Sequence, residues 1–176
     1  MEYWDIYDEN RVKKAGVMKR GEPMRDGDYH LVVHVCVFND KDEMLIQRRQ
    51  PFKSGFSGLW DITVGGSAVM GDSSRSAAER ELFEEVGIKV DLSSVRPHLT
   101  INYDHGFDDF YLLQRNDIAI STLKLQYEEV AEVRWASEDE IVRMLHEKTF
   151  IPYYEHLIRL LFAMRGRYSC HVPGTV

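Results

Sequence analysis

The chain has 176 residues, a length that fits one domain built around a single core. Hydrophobic residues make up 44% of it and charged residues 29%, a balance that excludes a disordered or fibrous chain. The formal net charge of -7 argues against a protein that binds a nucleic-acid duplex, because such binding relies on Lys and Arg neutralising phosphates.

Two cysteines, Cys36 and Cys170, are too few for a disulfide framework, so we expect a reducing, cytoplasmic setting. The first residues lack the basic and then apolar order of a secretory signal. No run of about 18 apolar residues predicts a membrane span. The sequence leaves the oligomeric state open, a homodimer included.

The first half of the chain predicts strands and then one helix. Residues 1–28 are expected to form an N-terminal hairpin that turns at residues 9–11. β-Branched and aromatic residues predict strands over 30–38 and 43–49, a Gly/Ser-rich loop over 51–58 and a short strand over 59–64 that Gly65 and Gly66 end. A helix is predicted from Ser73 to Val86, with Gly87 as its C-terminal cap.

The second half predicts three strands, over residues 99–103, 107–114 and 130–135, and two helices. The first helix covers residues 137–146. The C-terminal helix covers residues 150–165 and has Pro152 in its first turn. The whole pattern favours an α/β fold in which a mixed central sheet has helices on both sides.

Acidic residues three and four positions apart project from one side of the predicted central helix. These residues are Glu81, Glu84 and Glu85. Such carboxylates repel one another unless a cation lies between them, and hard divalent cations prefer oxygen ligands. The spacing therefore predicts a metal site, although a solvated acidic helix face is the simpler reading of three glutamates alone. Leu82, Phe83 and Val86 are expected to anchor the opposite side to the core.

Small and basic residues flank the three glutamates. Arg80 is placed to pair with Glu84 four residues on and to orient it. Gly65 and Gly66 permit a tight backbone path into the helix, where amide groups can face an anion, so we take them as candidate substrate-binding residues. Ala77 and Ala78 are expected on the carboxylate side, where small side chains let a phosphate approach.

The stretch from residue 65 to residue 88, GGSAVMGDSSRSAAERELFEEVGI, closely resembles the signature of the Nudix hydrolases. Eight of the nine specified positions match, with the glycines, Arg80 and the glutamates at the required spacing. Asp72 is the single departure, since the family usually carries Glu there. The shorter side chain puts in doubt whether Asp72 supports the motif loop in the usual way.

The resemblance implies an α/β/α sandwich formed by a single Nudix domain over residues 1–176. It implies that Glu81, Glu84 and Glu85 bind Mg²⁺ or Mn²⁺ and that one of them also activates water. The implied reaction is hydrolysis of a small-molecule diphosphate, a nucleoside diphosphate linked to another group. By the same resemblance Arg80 and the three glutamates are the catalytic residues.

Segments outside the motif, among them GDYHLVVHVCVFN and GLWDITVGG, look like the branch that contains the isopentenyl-diphosphate isomerases. Those enzymes need a Cys and a metal-binding His where this chain has Gly65 and Ser67, so we expect no isomerase activity. His30 matches another isomerase metal His, but we expect it and His34 to be hydrogen-bonded strand residues. The alternatives kept open are an isomerase-like enzyme and a non-catalytic nucleotide-binding module.

Basic residues beside the loop at 51–58 are candidates for binding phosphate oxygens, and surface charge is an equally good reading of them. They are Arg48, Arg49 and Lys53. Phe56 and Trp60 are candidates for stacking on a ring, with a core role favoured for Trp60. Glu128, Glu129 and Glu132 are candidates for a further metal ligand or base from a later loop, with a solvated surface position favoured.

Overall fold

The computed structural model describes residues 2–172. An N-terminal hairpin of β1 (Tyr3–Tyr7) and β2 (Lys13–Lys19) forms a separate two-stranded sheet. Asp5 of β1 is buried and accepts hydrogen bonds from Lys13 Nζ, at 2.6 Å, and from the backbone amide of Gly71, at 2.9 Å. The hairpin is therefore fastened to the loop that carries the sequence motif, although it ends at Lys19 and residues 20–28 continue as turns.

The central sheet has seven strands around β3 (His30–Phe38). The other strands are β4 (Glu43–Arg49), β5 (Trp60–Asp61), β6 (Val64–Ser67), β7 (Leu99–Tyr103), β8 (Gly106–Gln114) and β9 (Val130–Ser137). β8 runs parallel to β3, whereas the other pairs are antiparallel, so the sheet is mixed as predicted. β3 pairs with β4 only at Phe38 and with β6 along Val32–Val35, so the sheet forks beside β3.

Helices cover both faces of this sheet. α1 (Ser74–Val86) packs on one face through Ala77, Ala78, Leu82 and Val86. α2 (Glu138–His146) and α3 (Glu155–Met164) pack on the other face, where aromatic and aliphatic side chains from both helices meet the strands. The predicted α/β/α sandwich is confirmed. No helix within residues 2–172 combines the length and apolar character needed to cross a membrane.

Two sequence predictions are wrong at the fork of the sheet. The strand predicted over residues 59–64 is two strands, and Gly65 and Gly66 lie inside β6 rather than ending a strand. Thr63 explains the break, because its hydroxyl accepts from the amide of Val37 and donates to the carbonyl of Leu45. These two bonds replace strand pairing where the chain crosses from β4 to β3.

The C-terminal helix begins at Glu155, five residues after its predicted start at residue 150. Residues 149–151 are held extended beside β5, because the amide of Trp60 donates to Thr149 O and the amide of Ile151 donates to Trp60 O. Pro152 follows this extended segment and lies before the helix. Tyr153 then reaches back to β5, so the segment between α2 and α3 belongs to the cleft described below.

Candidate active site

Local signals in the sequence position α1. Ser73 caps its N-terminus by accepting a hydrogen bond from the amide of Ser76, and the Ser76 hydroxyl accepts from the amide of Ser73. Gly87 ends the helix with φ at 75°, a left-handed conformation that glycine adopts without strain. These boundaries are the predicted ones. They set the direction in which the glutamate side chains project from the helix.

Glu81 lies directly against Gly66. A Cβ atom built on Gly66 would be 2.3 Å from the carboxyl carbon of Glu81, so only glycine leaves room for this carboxylate. Gly65 faces a different neighbour, because a Cβ there would be 3.0 Å from Nδ1 of His34. The two glycines therefore serve close approach of side chains on a strand, whereas the sequence predicted a path into the helix.

Arg80 joins the motif loop to the glutamates. Its guanidinium donates to Asp72 at 2.9 and 3.1 Å, to Glu81 at 2.9 Å and to Glu84 at 3.2 Å. Asp72 also accepts from the amide of Val69 at 3.2 Å, which closes the loop. The shorter acid at position 72 thus still supports the loop, and the predicted pairing of Arg80 with Glu84 is one part of a larger network.

The three glutamates differ in exposure. Glu85 is buried and its Oε2 accepts a 2.7 Å hydrogen bond from Gln47 Nε2. Burial raises the pKa of Glu85 to about 8, against the opposing effect of that hydrogen bond. Burial also raises the pKa of Glu81, although the Arg80 guanidinium lies beside it. Glu84 is about half exposed.

The donor set fits a hard divalent cation by its chemistry. The Glu81 carboxylate adds to the rise in the pKa of the buried Glu85, and a cation bound between the two would relieve that repulsion. Within residues 2–172 no three His, Cys, Asp or Glu side chains are gathered closely enough to hold a metal ion as they stand. Arg80 donates hydrogen bonds to Glu81 and Glu84, so these two carboxylates must give up contacts with Arg80 in order to bind a cation.

A cleft of about 550 Å³ opens beside β6 and reaches Gly66. Its volume falls within the range of small-molecule sites. Polar and aromatic side chains from the hairpin end, the central strands and the segment before α3 line it. They include Arg20, His34, Arg49, Phe56, Asp61, Tyr103, Asp108 and Tyr153.

The predicted basic residues have separate positions. Arg49 lines the cleft, and its Nε donates to Gly55 O at 3.0 Å. Arg48 lies outside the cleft lining, donates to Gly58 O and pairs with Glu132 at 3.0 Å. Lys53 pairs with Glu129. All three therefore meet the loop or nearby acids, and Arg49 is the one positioned at the cleft.

Some side-chain positions differ from those expected. Ala77 and Ala78 are fully buried against the sheet, so they offer no approach to a phosphate. Phe83 is about half exposed and carries Lys89 over its ring, so it does not anchor α1 to the core as predicted. Phe56 is exposed at the cleft, whereas Trp60 packs against the core beneath α2 and α3, as favoured.

Of the cleft residues named above, five carried no functional signal in the sequence analysis: Arg20, Asp61, Tyr103, Asp108 and Tyr153. They are single residues from distant segments, and only the fold brings them together. His30 is buried and its Nε2 lies 2.6 Å from the hydroxyl of Tyr103, as expected of a hydrogen-bonded strand residue. His34 Nε2 lies 3.3 Å from Asp108 and its ring stacks on Phe110.

A larger cavity of about 1030 Å³ lies elsewhere, between the start of α1, β7 and the C-terminal residues up to Val172. Among the described residues, the motif glutamates line neither cavity, and Ser73, Ser74 and Arg75 of the motif segment line the larger one. The cleft beside β6 is favoured because Gly66, against which Glu81 lies, forms part of its wall.

Comparisons with known proteins identify the family and the fold. The NUDIX domain family matches residues 28–160. An uncharacterised Nudix hydrolase of Listeria innocua is 41% identical over 97% of this chain and 99% of its own length. An isopentenyl-diphosphate Delta-isomerase of Pectobacterium atrosepticum is 27% identical over 85% of this chain and 86% of its own. A crystal structure from Deinococcus radiodurans, 20% identical, shows the same fold with a TM-score of 0.73, covering 91% of this chain and 99% of that one.

Proposed function

This chain belongs to the Nudix hydrolase family, and from that premise we propose that it cleaves the diphosphate linkage of a nucleoside diphosphate joined to another group. The proposed cofactor is Mg²⁺ or Mn²⁺, held by Glu81, Glu84 and Glu85. The observation that carries the proposal is the placement of Glu81 against Gly66. It puts a motif carboxylate beside Gly66, a residue of the cleft wall, and the cleft has room for a diphosphate.

A bound divalent cation would supply positive charge to the departing phosphate. Residues of the chain orient the carboxylates, accept the proton and bind the phosphate. Arg80 orients Glu81 and Glu84 through the hydrogen bonds described above, and a motif glutamate accepts the proton of the attacking water. Arg49 faces the cleft as a donor for phosphate oxygens. Arg48 could contact a substrate only after its ion pair with Glu132 breaks, and Lys53 only after its ion pair with Glu129 breaks.

The geometry at Gly65 argues against the isomerase alternative. A Cβ atom at this position would lie 3.0 Å from Nδ1 of His34, so the position matched to the isomerase Cys has little room for a side chain in this protein. Ser67, two positions on, has no imidazole to offer a metal. Incubation with isopentenyl diphosphate is therefore expected to yield no allylic isomer, and finding that isomer would restore the alternative.

The direct test is a screen with Mg²⁺ and Mn²⁺ of ADP-ribose, dinucleotides, nucleotide sugars, coenzyme A and nucleoside triphosphates, read by product mass. Glu85→Gln is expected to lose hydrolysis of every substrate found. Glu147→Gln is the matched control, because it changes an exposed acid just after α2 whose side chain makes no hydrogen bond or ion pair within residues 2–172. Nucleotide binding without product from any compound would favour the non-catalytic binding module.

A further inference from the structure

Asp61 is a buried carboxylate at the cleft, and the reaction proposed above gives it no role. The residue is 5% exposed. Its Oδ1 accepts two hydrogen bonds, from the amide of Ile62 at 2.8 Å and from the hydroxyl of Tyr153 at 2.9 Å. Among residues 2–172 no hydrogen bond or ion pair is recorded at Oδ2. Asp61 lines the cleft, so Oδ2 is an acceptor there that a ligand excluding water from the cleft would have to pair.

The position of this carboxylate is rigidly fixed. Asp61 pairs with Gln47 across β5 and β4, and hydrogen bonds from Trp60 to Thr149 and from Ile151 to Trp60 hold the strand on its other side. Tyr153 then fixes the rotation of the carboxyl group. A preorganised acceptor of this kind discriminates strongly between ligands, because a ligand without the donor leaves it unpaired.

Asp61 also lies close to the proposed reaction centre. Gln47, its cross-strand partner, donates to the motif residue Glu85, and the Asp61 charge contributes to raising the Glu85 pKa. Gly66, against which Glu81 lies, lines the same cleft as Asp61. A diphosphate bound at the motif therefore leaves the attached group within reach of Asp61.

We propose that Asp61 selects the substrate, by accepting through Oδ2 a hydrogen bond from a hydroxyl or amino donor on a group attached to the diphosphate. This inference rests on the proposed function. A sugar hydroxyl and the exocyclic amine of a base share this chemistry. Tyr153 is a positioning residue, since it acts through Oδ1 of Asp61. His34 pairs with Asp108 through Nε2, while its Nδ1 lies beside Gly65 and is buried without a hydrogen-bond partner among residues 2–172.

The test compares ADP-ribose with two analogues at saturating Mg²⁺. In the first, a methyl group replaces the ribose beyond the diphosphate; in the second, purine replaces adenine and the exocyclic amine is absent. The wild-type kcat/KM is expected to fall on the order of 10- to 100-fold for the analogue that lacks the recognised donor and by less than about threefold for the other. This difference identifies the sugar or the base as the source.

Asp61→Asn keeps an acceptor for Ile62 and Tyr153 and places an NH₂ group where Oδ2 was. Its kcat/KM for ADP-ribose is expected to fall to the level of the selected analogue, while hydrolysis of that analogue changes by less than about threefold. Tyr153→Phe, which keeps Oδ2 but removes the hydrogen bond that fixes the rotation of the carboxyl group, is expected to lose part of the discrimination and less than Asp61→Asn loses. An equal loss on all three substrates, or no loss on any, would overturn the proposal by reducing Asp61 to a structural role.

Wild-type discrimination tests the idea even when Asp61→Asn does not fold, because equal rates for all three compounds contradict it. Failure of the proposed function is a separate outcome. If no compound is hydrolysed, calorimetry with α,β-methylene ADP-ribose and with its methyl and purine analogues measures the same preference as the ratio of Kd values for the analogue that lacks the recognised donor. Asp61→Asn is then expected to abolish that ratio, and equal wild-type Kd values for all three compounds, or a ratio unchanged by Asp61→Asn, would count against Asp61.

Discussion

Replacing Glu85 by Gln is expected to stabilise the metal-free protein at neutral and alkaline pH while removing its hydrolase activity. Glu85 lies on the buried side of α1, and its carboxylate accepts one hydrogen bond, from Gln47. Its carboxyl group must lose its proton to carry negative charge, and burial opposes that ionisation. Gln has nearly the same shape, accepts from Gln47 through its amide oxygen and carries no charge at any pH.

The size of the effect follows from the pKa of Glu85, which burial raises from an ordinary 4.5 to about 8. Between these values the folded protein binds the proton more tightly than the unfolded chain, so the free energy of unfolding falls as pH rises. Each pKa unit corresponds to about 1.4 kcal/mol, which gives a loss on the order of 3 kcal/mol between about pH 5 and pH 8. The loss is complete once pH exceeds the folded pKa.

Thermal unfolding in EDTA at several pH values measures this loss. The melting temperature of Glu85→Gln, relative to wild type, is expected to rise by on the order of 10 °C from pH 5 to pH 8. Glu147→Gln should follow wild type throughout. Added Mg²⁺ should stabilise wild type and leave Glu85→Gln unchanged. A difference between wild type and Glu85→Gln that does not vary with pH would refute the reasoning, because Glu85 would then not be a desolvated carboxyl group.

Two further predictions concern the walls of the site. Gly66→Ala places a methyl group 2.3 Å from the Glu81 carboxyl carbon, so turnover is expected to fall at least about 100-fold with less change in melting temperature; near-normal kcat would show that Glu81 need not lie there. Arg49→Ala is expected to raise KM about tenfold, whereas Arg48→Ala, which removes a residue outside the cleft lining, should raise it less than about twofold. Equal KM values for the two variants would contradict the assignment of Arg49.

The elements that the sequence predicted correctly are those determined by short-range features such as helix caps and side-chain type. The boundaries of α1 follow from Ser73 and Gly87, whose capping acts within one turn of the helix. The strands on either side of the turn at residues 39–42 follow from β-branched side chains. The start of α3 was wrong because hydrogen bonds to Trp60, some 90 positions away, hold residues 149–151 extended. No local pattern records such a contact.

The residues of the candidate site also fall into two groups, those that the sequence identified and those that only the fold reveals. Arg80 and the glutamates were found because the chemistry needs them at fixed spacings along one helix. Arg48 and Arg49 are neighbours in sequence with the same charge, so only the bulge between β4 and β9 and the position of the cleft distinguish them. Asp61 is one acid among 29 acidic residues in the sequence, and its burial appears only in the fold.

The sequence pattern identified Gly65 and Gly66 as site residues but assigned them the wrong structural role. As adjacent strand residues they face opposite sides of the sheet. The missing side chain of Gly66 admits Glu81 from α1, and the missing side chain of Gly65 admits His34 at the cleft. A side chain at either position would displace one of these groups. The pair therefore joins the motif carboxylates to the cleft across a single strand, which is why both glycines belong to the site although they form no turn.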